Sequence, residues 1–539
     1  MRRDLLYLSD ISEAADAIRR FIGGIPQDAF MADELRQSAV LQKLIVIGEA
    51  AARLGPDLRN RHAEVPWPDV IGFRNMAVHA YFSVDWSVVW FTATRDVPAL
   101  QVAVQRMQDL EAVSDSTISD TRSAIRAQGG PMKSYKYVIL GGGVAAGYAA
   151  KEFAKRGIAK GELAIVSADT TAPYQRPHIS KEFIRGEETL DDILINPANF
   201  YEESGIDLWL NTTVTRADLA QKRLHTAQGD EIGYEQLMIA NGCRARTLRV
   251  PGAELGNVLY LRWMPDVEAI QKAAKGAKQA VVVGGSFIGM EMAANLTQMG
   301  VPTTLVFPEG RVWQRFFTPE MSDFFQRFYR AKGVTILPGA GVTAFKGQGT
   351  VSTVVLSDGR ELPADLVVAG IGVVPATELW EGTGLALQDG VVVNEYLETN
   401  LPGVYAVGDI ARFPETTFGR ERRIEHWDTA RRQGRAAAAN MLGDHEPYKA
   451  VPYFYSDVFH MGWEFWGDTE GADQVVHRGD LEKGPFTAWW LKGGKLVAAF
   501  TIDPPQEGMD KLVGKWIRKG QALPADKLAD PSVKLASLE

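Results

Sequence analysis

Hydrophobic residues recur with the spacing of an amphipathic helix over the first fifth of the chain. Leu5, Leu8 and Ile11 are followed by further apolar positions at steps of four and three residues, so that all of them would lie on one helical face. Later segments of the same character are residues 35–54, a proline-opened segment from Pro66, and residues 84–110. The pattern predicts an all-α helical bundle over residues 1–112.

The pattern changes after this bundle. Residues 113–132 are rich in Ser, Thr and Asp and contain a Gly-Gly-Pro triplet, which is typical of a linker. From residue 133 onwards, short apolar runs of strand length alternate with helical segments, and this alternation indicates an α/β fold. We expect an α+β segment from about Gly443 to close the chain.

A glycine-rich turn stands at the start of the α/β part. Residues 137–140 have the pattern of a buried strand, three glycines follow, and a run of small residues then suits a helix. Gly141 permits the turn, Gly143 lets the backbone approach a pyrophosphate, and Ala146 lets the helix pack close to the strand. These features predict a dinucleotide-binding turn, with an ordinary strand-to-helix turn as the alternative.

Charged residues that could complete this nucleotide site come later. Asp169 ends the next strand, 28 residues after Gly141 (169 − 141), where a carboxylate can accept the hydroxyls of an adenosine ribose. Arg176 and Lys181 can neutralise a pyrophosphate, although such charges are also common on a solvated surface. Asp409 ends a later buried strand, and ligands gather at the carboxyl ends of parallel strands.

The same pattern occurs a second time. A strand at residues 281–283 leads into a turn that contains Gly284, Gly285 and Gly289, and Ser286 replaces the usual second glycine. Two such turns in one chain are a far more specific signal than one. The sequence therefore predicts two nested dinucleotide folds.

The second fold also predicts which nicotinamide cofactor is used. Glu309 ends its second strand, 25 residues after Gly284 (309 − 284). A carboxylate there accepts ribose hydroxyls and repels a 2′-phosphate, which favours NADH over NADPH. Arg311 and Arg315 follow closely and could reach a phosphate, and a solvated loop acid is the alternative interpretation of Glu309.

Composition limits the remaining possibilities. The chain has 539 residues and a formal net charge of −9, which argues against a general nucleic-acid binder. Cys243 is the only cysteine, so no disulfide forms within the chain, and we interpret its thiol as a packing group. No apolar run is long enough to span a membrane, and the N-terminus lacks the features of a secretory signal. We expect a cytoplasmic protein without a membrane segment.

The helical part contains a short polar motif. Arg74, His79 and Tyr81 stand close together in RNMAVHAYF, and a cation, an imidazole and a phenol could hold a phosphodiester and move protons. A packed His–Tyr pair beside a surface arginine is the alternative. We expect no bound metal here, because the three residues include no metal-ligand cluster.

This segment resembles a known family over residues 4–112. IGEAAARL, EVPWPDVIGFRNMAVHAYF and WFTATRDVPAL are similar to HEPN-fold toxins of the HepT type. The resemblance implies that Arg74, His79 and Tyr81 form a metal-independent ribonuclease site, that the domain forms a homodimer, and that RNA or an antitoxin is a partner. The segment has no evident basic face for RNA, so a retained docking or dimerisation domain is the alternative.

The rest of the chain resembles glutathione-reductase-like FAD/NAD(P)H oxidoreductases, and most closely monodehydroascorbate reductases. The resemblance rests on KYVILGGGVAAGYAA, APYQRPHISK, RIEHWDTAR and VPYFYSDVFHMGWEFWGD. It implies an FAD-binding domain at 133–255 and 373–442, an NAD(P)H-binding domain at 256–372, and a C-terminal interface domain at 443–539. With no cysteine pair, electrons would leave from the flavin itself.

The resemblance also implies roles for individual residues. The FAD site would contain Gly141, Gly143, Ala146, Asp169, Arg176, Lys181 and Asp409, with Glu425 and His426 beside the isoalloxazine. The NADH site would contain Gly284, Gly285, Gly289 and Glu309, with Glu291 near the nicotinamide. Arg431 and Tyr455 would receive an anionic acceptor. Ser286, Asn241 and Thr429 depart from the family pattern and put the acceptor's identity in doubt.

The expected protein is thus an FAD-dependent NADH oxidoreductase that is fused to a HEPN-like domain. It would pass electrons to a small radical or quinone-type acceptor such as monodehydroascorbate. The alternatives are electron transfer to a redox protein, as in ferredoxin and rubredoxin reductases, and a toxin or defence effector whose helical domain cleaves RNA.

Overall fold

The computed structural model describes residues 2–54, 58–59, 62, 65–67, 70, 86–104, 107, 132–502 and 508–538. The chain divides into two compact units, Met1–Pro131 and Met132–Glu539, and each is described by itself. The finer domain boundaries within the second unit stay a prediction. None of the helices in the described residues is long and apolar enough to cross a membrane.

The first unit is helical wherever it has regular structure in the described ranges. Its helices are α1 (Arg2–Ile22), α2 (Gln27–Met31), α3 (Glu34–Arg53) and α4 (Trp86–Phe91), and a π-helical turn at Thr92–Asp96 follows. Leu8, Ile11 and Ile18 are fully buried, so the apolar face predicted for α1 forms core. Arg74, His79 and Tyr81 lie outside the described residues, and the predicted homodimer stays a prediction.

The second unit contains the strands. In chain order they are β1 (Lys133–Leu140), β2 (Leu163–Val166), β3 (Asp207–Trp209), β4 (Val214–Asp218), β5 (Arg223–Thr226), β6 (Glu231–Ile239), β7 (Cys243–Ala245), β8 (Val258–Tyr260), β9 (Ala280–Val283), β10 (Thr303–Phe307), β11 (Thr335–Pro338), β12 (Val342–Gln348), β13 (Thr350–Leu356), β14 (Glu361–Pro363), β15 (Leu366–Ala369), β16 (Val373–Pro375), β17 (Val391–Val392), β18 (Val404–Ala406), β19 (Ala411–Glu415), β20 (Arg420–Arg422), β21 (Tyr453–Val458), β22 (Met461–Gly467), β23 (Gln474–Gly479), β24 (Phe486–Lys492) and β25 (Lys495–Ile502).

Helices connect and cover these strands. They are α5 (Val144–Lys155), α6 (Glu182–Arg185), α7 (Leu190–Ile193), α8 (Phe200–Glu203), α9 (Met264–Ala274), α10 (Phe287–Gln298), α11 (Pro319–Ala331), α12 (Trp427–Met441), α13 (Met509–Lys519) and α14 (Ala525–Ala529). Short 3₁₀ helices occupy Arg176–Ser180, Glu378–Trp380, Gly408–Ile410 and Leu535–Leu538.

The first nucleotide fold is built on a mostly parallel sheet. Its parallel strands follow the order β3-β2-β1-β6-β18, and β5 and β4 add an antiparallel extension to β6. Every residue of β2 is buried, as expected for a parallel strand covered on both faces. Helices α5 and α12 pack closely, because Gly434 leaves room for the carbonyl of Ala145, which a Cβ would approach to 2.2 Å.

The second nucleotide fold is a parallel sheet of order β11-β10-β9-β15-β8. Strands β9 and β15 are Ala-Val-Val-Val and Leu-Val-Val-Ala, and every residue in them is buried. An antiparallel sheet of β12, β13 and β14 is attached to it. The two predicted nested dinucleotide folds are therefore confirmed.

The C-terminal part is an antiparallel sheet of order β21-β22-β25-β24-β23, with α13 packed on one face. The opposite face joins the core of the second nucleotide fold through aromatic rings. Trp463, Phe465 and Trp466 are at most 4% exposed, so these aromatic side chains are part of the core. The predicted fold class, a helical bundle followed by two dinucleotide folds and an α+β segment, is the observed one.

Candidate functional site

A cleft of about 740 Å³ opens in the second unit where strands of both nucleotide sheets end. Residues immediately after β1, β2, β6, β15 and β18 line it. The carboxyl ends of parallel strands are the usual place for ligands in such sheets. The lining also includes the N-terminal turns of α5 and α10, whose unpaired backbone amides favour phosphate groups.

The first glycine turn has the geometry of a phosphate cradle. Gly141 has φ +123°, and a Cβ there would lie 2.2 Å from the carbonyl oxygen of Ala240, so only glycine fits. Gly143 is the N-cap of α5 and has extended backbone. A Cβ at Gly143 would meet no protein atom nearer than Nε of Arg176, at 3.8 Å. The side chain that is missing at Gly143 therefore leaves the backbone open to a pyrophosphate. Ala146 is fully buried in α5, consistent with close packing.

Arg176 supplies a positive charge that forms no direct ion pair among the described residues, although Asp169 and Asp409 lie near enough to act on it electrostatically. Its guanidinium lies 4.6 Å from the ring centre of Trp263 and donates a hydrogen bond to the carbonyl of Arg262. No carboxylate oxygen of the described residues lies within 4.0 Å of it. Burial lowers the pKa of Arg176, but arginine keeps its charge in proteins. A cation with this environment fits a bound anion such as a pyrophosphate.

Asp409 lies in the 3₁₀ helix Gly408–Ile410, which follows β18 closely, and it lines the cleft. Its Oδ2 accepts a hydrogen bond from Nη2 of Arg262 at 2.9 Å. The fully buried Gln433 accepts the backbone amide of Gly408 at 2.8 Å and holds this turn. Cys243 is also buried, its thiol contacts the carbonyl oxygen of Asp409 at 3.4 Å, and burial raises its pKa to about 12. The thiol therefore stays protonated at neutral pH, in keeping with a packing role.

Asp169 lies beside the cleft, next to the lining residues Ser167 and Ala168. The carboxylate is 6% exposed. It accepts the hydroxyl of Tyr174 and the amide of Thr171, both at 3.3 Å. Its ribose-binding role stays a prediction.

Lys181 forms a buried ion pair beside the cleft. Its Nζ lies 2.5 Å from Oε1 of Glu291, and both side chains are 6% exposed. The hydroxyl of Ser456 donates to the same oxygen at 2.5 Å, and the hydroxyl of Ser180 donates to Oε2. The ammonium is therefore paired with this carboxylate, and the expected role of Lys181 at a pyrophosphate stays a prediction. Both Lys181 and Glu291 line the cleft.

Glu425 and His426 form another part of the wall. Burial raises the pKa of Glu425, and the guanidinium of Arg423, 2.7 Å away, opposes this effect. Burial lowers the pKa of His426 to about 4, so the imidazole is neutral at pH 7. Its Nδ1 accepts the amide of Asp428 at 3.3 Å and caps α12.

Arg431 and Tyr455 both contact Trp427, and we call this aromatic cluster beside the cleft its mouth. Tyr455 lines the cleft, and its ring centre lies 5.8 Å from that of Trp427. Arg431 lies over Trp427 at 5.0 Å and pairs with Asp428 at 2.5 Å. Arg432 pairs with the other oxygen of Asp428, also at 2.5 Å. Two guanidiniums therefore share one carboxylate, and a net positive charge remains.

The second glycine turn repeats the geometry of the first. Gly284 has φ +120°, and a Cβ there would lie 2.2 Å from the carbonyl oxygen of Gly370. Gly285 faces the ring of Phe307, which a Cβ would approach to 2.8 Å. Ser286, the N-cap of α10, has φ −124° and extended backbone, so a serine fits where glycine is common. Gly289 lies within α10 rather than in the turn, and a Cβ on it would lie 1.8 Å from the carbonyl oxygen of Gly284.

Glu309 is exposed two residues beyond the end of β10. Its backbone carbonyl accepts the amide of Gly339 at 2.9 Å. Within the described residues no cation lies within 4.0 Å of its carboxylate. The side chain is therefore available to ribose hydroxyls, and its predicted role stays a prediction.

Sequence reasoning missed several residues of the cleft. Arg262 holds Asp409, Trp263 stacks on Arg176, and Ser180 and Ser456 hold Glu291. The serines carry no motif of their own, and their contacts to Glu291 span 111 and 165 residues of chain. The only indication in the sequence that this strand reaches the site was the aromatic segment VPYFYSDVFHMGWEFWGD, which contains Ser456.

These features define an oxidoreductase that holds FAD and a pyridine nucleotide. The sequence profile described as "pyridine nucleotide-disulphide oxidoreductase" matches residues 135–434, and that described as "Reductase C-terminal" matches residues 453–539. The chain belongs to the pyridine nucleotide-disulphide oxidoreductase family. A third profile, "Ribonuclease HepT-like", matches residues 11–107, which confirms the resemblance seen in the first unit.

Individual relatives agree with this assignment. Monodehydroascorbate reductase 2, peroxisomal, of Oryza sativa subsp. japonica is 40% identical over 435 residues, which cover 76% of this chain and 90% of the relative. A crystal structure of a covalent putidaredoxin reductase–putidaredoxin complex matches with 31% identity and a TM-score of 0.71, over 75% of this chain and 98% of the other. A ferredoxin reductase from Rhodopseudomonas palustris matches with 32% identity and a TM-score of 0.71, over 75% and 99%.

The Gly143→Val substitution is expected to give folded but colourless protein. The new side chain points into open space in the protein and occupies the place where a pyrophosphate meets the backbone. Flavin absorbance per chain and circular dichroism measure the two effects. Gly141→Val is the matched control and should lose solubility or stability, because its Cβ meets backbone. Full flavin occupancy in Gly143→Val would contradict the assignment.

Proposed function

We propose that this protein oxidises NADH and passes the electrons through FAD to a small anionic radical of the monodehydroascorbate type. The observation that carries the proposal is the aromatic mouth of the cleft, formed by Tyr455 and Trp427 beside the guanidinium pair on Asp428. Relatives named monodehydroascorbate reductases support it. Bound flavin accepts a hydride and returns the two electrons singly or together.

The chain's own residues have separate tasks in this proposal. Arg176 and the turn at Gly141 hold the pyrophosphate of FAD, and Asp409 orients its sugar-like chain. The Lys181–Glu291 pair holds its ammonium and carboxylate in fixed positions on the nicotinamide side of the cleft. His426 stays neutral near pH 7. It therefore adds an uncharged side chain to the cleft lining and helps to exclude water from the isoalloxazine ring.

The acceptor would enter where positive charge and aromatic surface meet. Asp428 is 3% exposed and cancels only one of the two guanidiniums that it binds. Arg431 lies over the ring of Trp427 and can donate to an enolate oxygen, while the Tyr455 hydroxyl supplies a second donor. Burial raises the pKa of Tyr455 well above 10, so the phenol keeps its proton.

A redox protein is the second candidate acceptor. The covalent putidaredoxin reductase complex and the ferredoxin reductase are similar over 75% of this chain. Two further arginines of α12 support this candidate. Arg432 is 49% exposed, and the guanidinium of Arg435 lies 4.8 Å from the ring centre of Tyr148 in α5. These cations extend the positive surface beyond the mouth, where an acidic carrier could dock.

A reducing compartment suits this chain, and we propose the cytoplasm. Cys243 is the only cysteine, and it is 1% exposed. A buried protonated thiol neither needs nor makes a disulfide. The rice relative, by contrast, is named peroxisomal.

An acceptor screen tests the main proposal. We expect NADH oxidation with monodehydroascorbate to exceed that with ferredoxins, and Arg431→Gln to raise the KM for monodehydroascorbate about tenfold, because a charged hydrogen bond is lost. Arg435→Gln is the matched control and should leave that KM unchanged. Faster reduction of a ferredoxin, with a KM that depends on Arg435, would favour the redox-protein alternative.

Cofactor preference provides an independent prediction. We expect a higher kcat/KM with NADH than with NADPH, by about tenfold or more, because Glu309 repels a 2′-phosphate. Glu309→Ala should reduce this ratio in steady-state kinetics with both cofactors. Arg311→Ala, which removes a positive charge two residues further along the chain, should increase the ratio. An unchanged ratio in Glu309→Ala would show that this carboxylate does not set the preference.

RNA cleavage by the first unit is a second candidate function, favoured by the match to the HepT-like ribonuclease profile. We expect the full chain to cleave RNA in the presence of a chelator and to lose this activity in His79→Ala. His62→Ala, a histidine outside the motif, should keep it. Cleavage that needs metal and survives His79→Ala would come from a contaminant, and no cleavage would leave docking or dimerisation as the unit's role.

A further inference from the structure

Glu291 is the meeting point of three separate segments. The residue lies in α10 of the second nucleotide fold and is 4% exposed. Lys181 and Ser180 reach it from the loop that carries Arg176, and Ser456 reaches it from β21 of the C-terminal sheet. Oε1 accepts from both Lys181 and Ser456 at 2.5 Å. Ser456 is therefore the C-terminal sheet's contact with this carboxylate.

Strand β21 faces two parts of the site at once. Neighbouring side chains on a strand point to opposite faces. Tyr455 lines the cleft, with its ring near those of His426 and Trp427. Ser456 is fully buried and points to Glu291. One strand thus contacts both the proposed acceptor side and the proposed nicotinamide side.

The hydroxyl of Ser456 has no other hydrogen-bond partner among the described residues. A carboxylate can rotate about its last torsion, which is broad and roughly two-fold. Lys181 alone would leave Oε1 with one long, flexible donor. Ser456 adds a short donor on a rigid strand, and Ser180 fixes the second oxygen. The plane of the carboxylate is then determined by contacts from both sides.

We propose that Ser456 is a positioning residue for hydride transfer: it fixes the Glu291 carboxylate, and through it Lys181, on the nicotinamide side of the cleft. This inference rests on the proposed oxidation of NADH. It requires that loss of the hydroxyl slows reduction of the flavin by NADH and leaves reoxidation by the acceptor unchanged, since Tyr455 stays in place.

Stopped-flow kinetics on the full-length holoprotein test this. In Ser456→Ala we expect flavin reduction by NADH to fall between about tenfold and a hundredfold, as for a misplacement of about 1 Å at a reacting centre. The dissociation constant for NADH should change less than twofold, and so should the reoxidation rate. Ser456→Thr keeps the hydroxyl and should recover most of the rate. Thr487→Val is the matched control, because it removes a buried hydroxyl paired with Thr501 at 3.1 Å in the same sheet.

A double-mutant cycle separates this role from general destabilisation. In a Glu291→Gln background, Ser456→Ala should cause little further loss of rate, because the two residues act through one contact. The same cycle in thermal unfolding of the flavin-free protein gives a readout without activity and should also be non-additive. Equal reduction rates in the parent and Ser456→Ala, or additivity in both cycles, would overturn the inference. A parent that NADH does not reduce would instead contradict the proposed function.

Discussion

The buried ion pair between Lys181 and Glu291 joins three segments of the second unit at one point. Taking two charges out of water is expensive, and their attraction compensates only if geometry and further hydrogen bonds are good. Here two serine hydroxyls supply those bonds, from a loop of the first nucleotide fold and from the C-terminal sheet. Removing one partner of such a pair costs about 3 to 5 kcal/mol, so the three segments are held in one relative position.

The two glycine turns show that one backbone constraint is used twice. Gly141 and Gly284 have φ of +123° and +120°, and a Cβ on either would lie 2.2 Å from a carbonyl oxygen of the neighbouring strand's end. The second position of each turn is different. Gly143 and Ser286 both have extended backbone, which any residue adopts, so the requirement at that position comes from the ligand. A serine there is compatible with the second site.

Local features of the site could be predicted from sequence, and long-range contacts could not. The turn at Gly141 is encoded within one strand and one helix, so its pattern is visible in a short window. Lys181 is separated from Glu291 by 110 residues, and its charge gives no sign of its partner. Arg176 and Lys181 looked equivalent in sequence, yet only Lys181 meets a carboxylate. Their difference depends on how two domains pack, which no local pattern contains.

The distribution of charge along the cleft depends on which cations have a carboxylate partner. The two arginines near the proposed pyrophosphate site differ in their partners. Arg262 forms a direct ion pair with Asp409, whereas Arg176 forms none among the described residues and interacts with Asp169 and Asp409 only at longer range. At the mouth, Asp428 cancels one of two guanidiniums. A chain with a net charge of −9 therefore keeps incompletely compensated positive charge at two places, one deep and one at the entrance. Because desolvated charge is costly unless paired, a bound anion would stabilise the deep cation further. Arg431 and Arg432 at the mouth are 25% and 49% exposed. They stay partly hydrated without an anion, and so suit an acceptor that binds and leaves in each turnover.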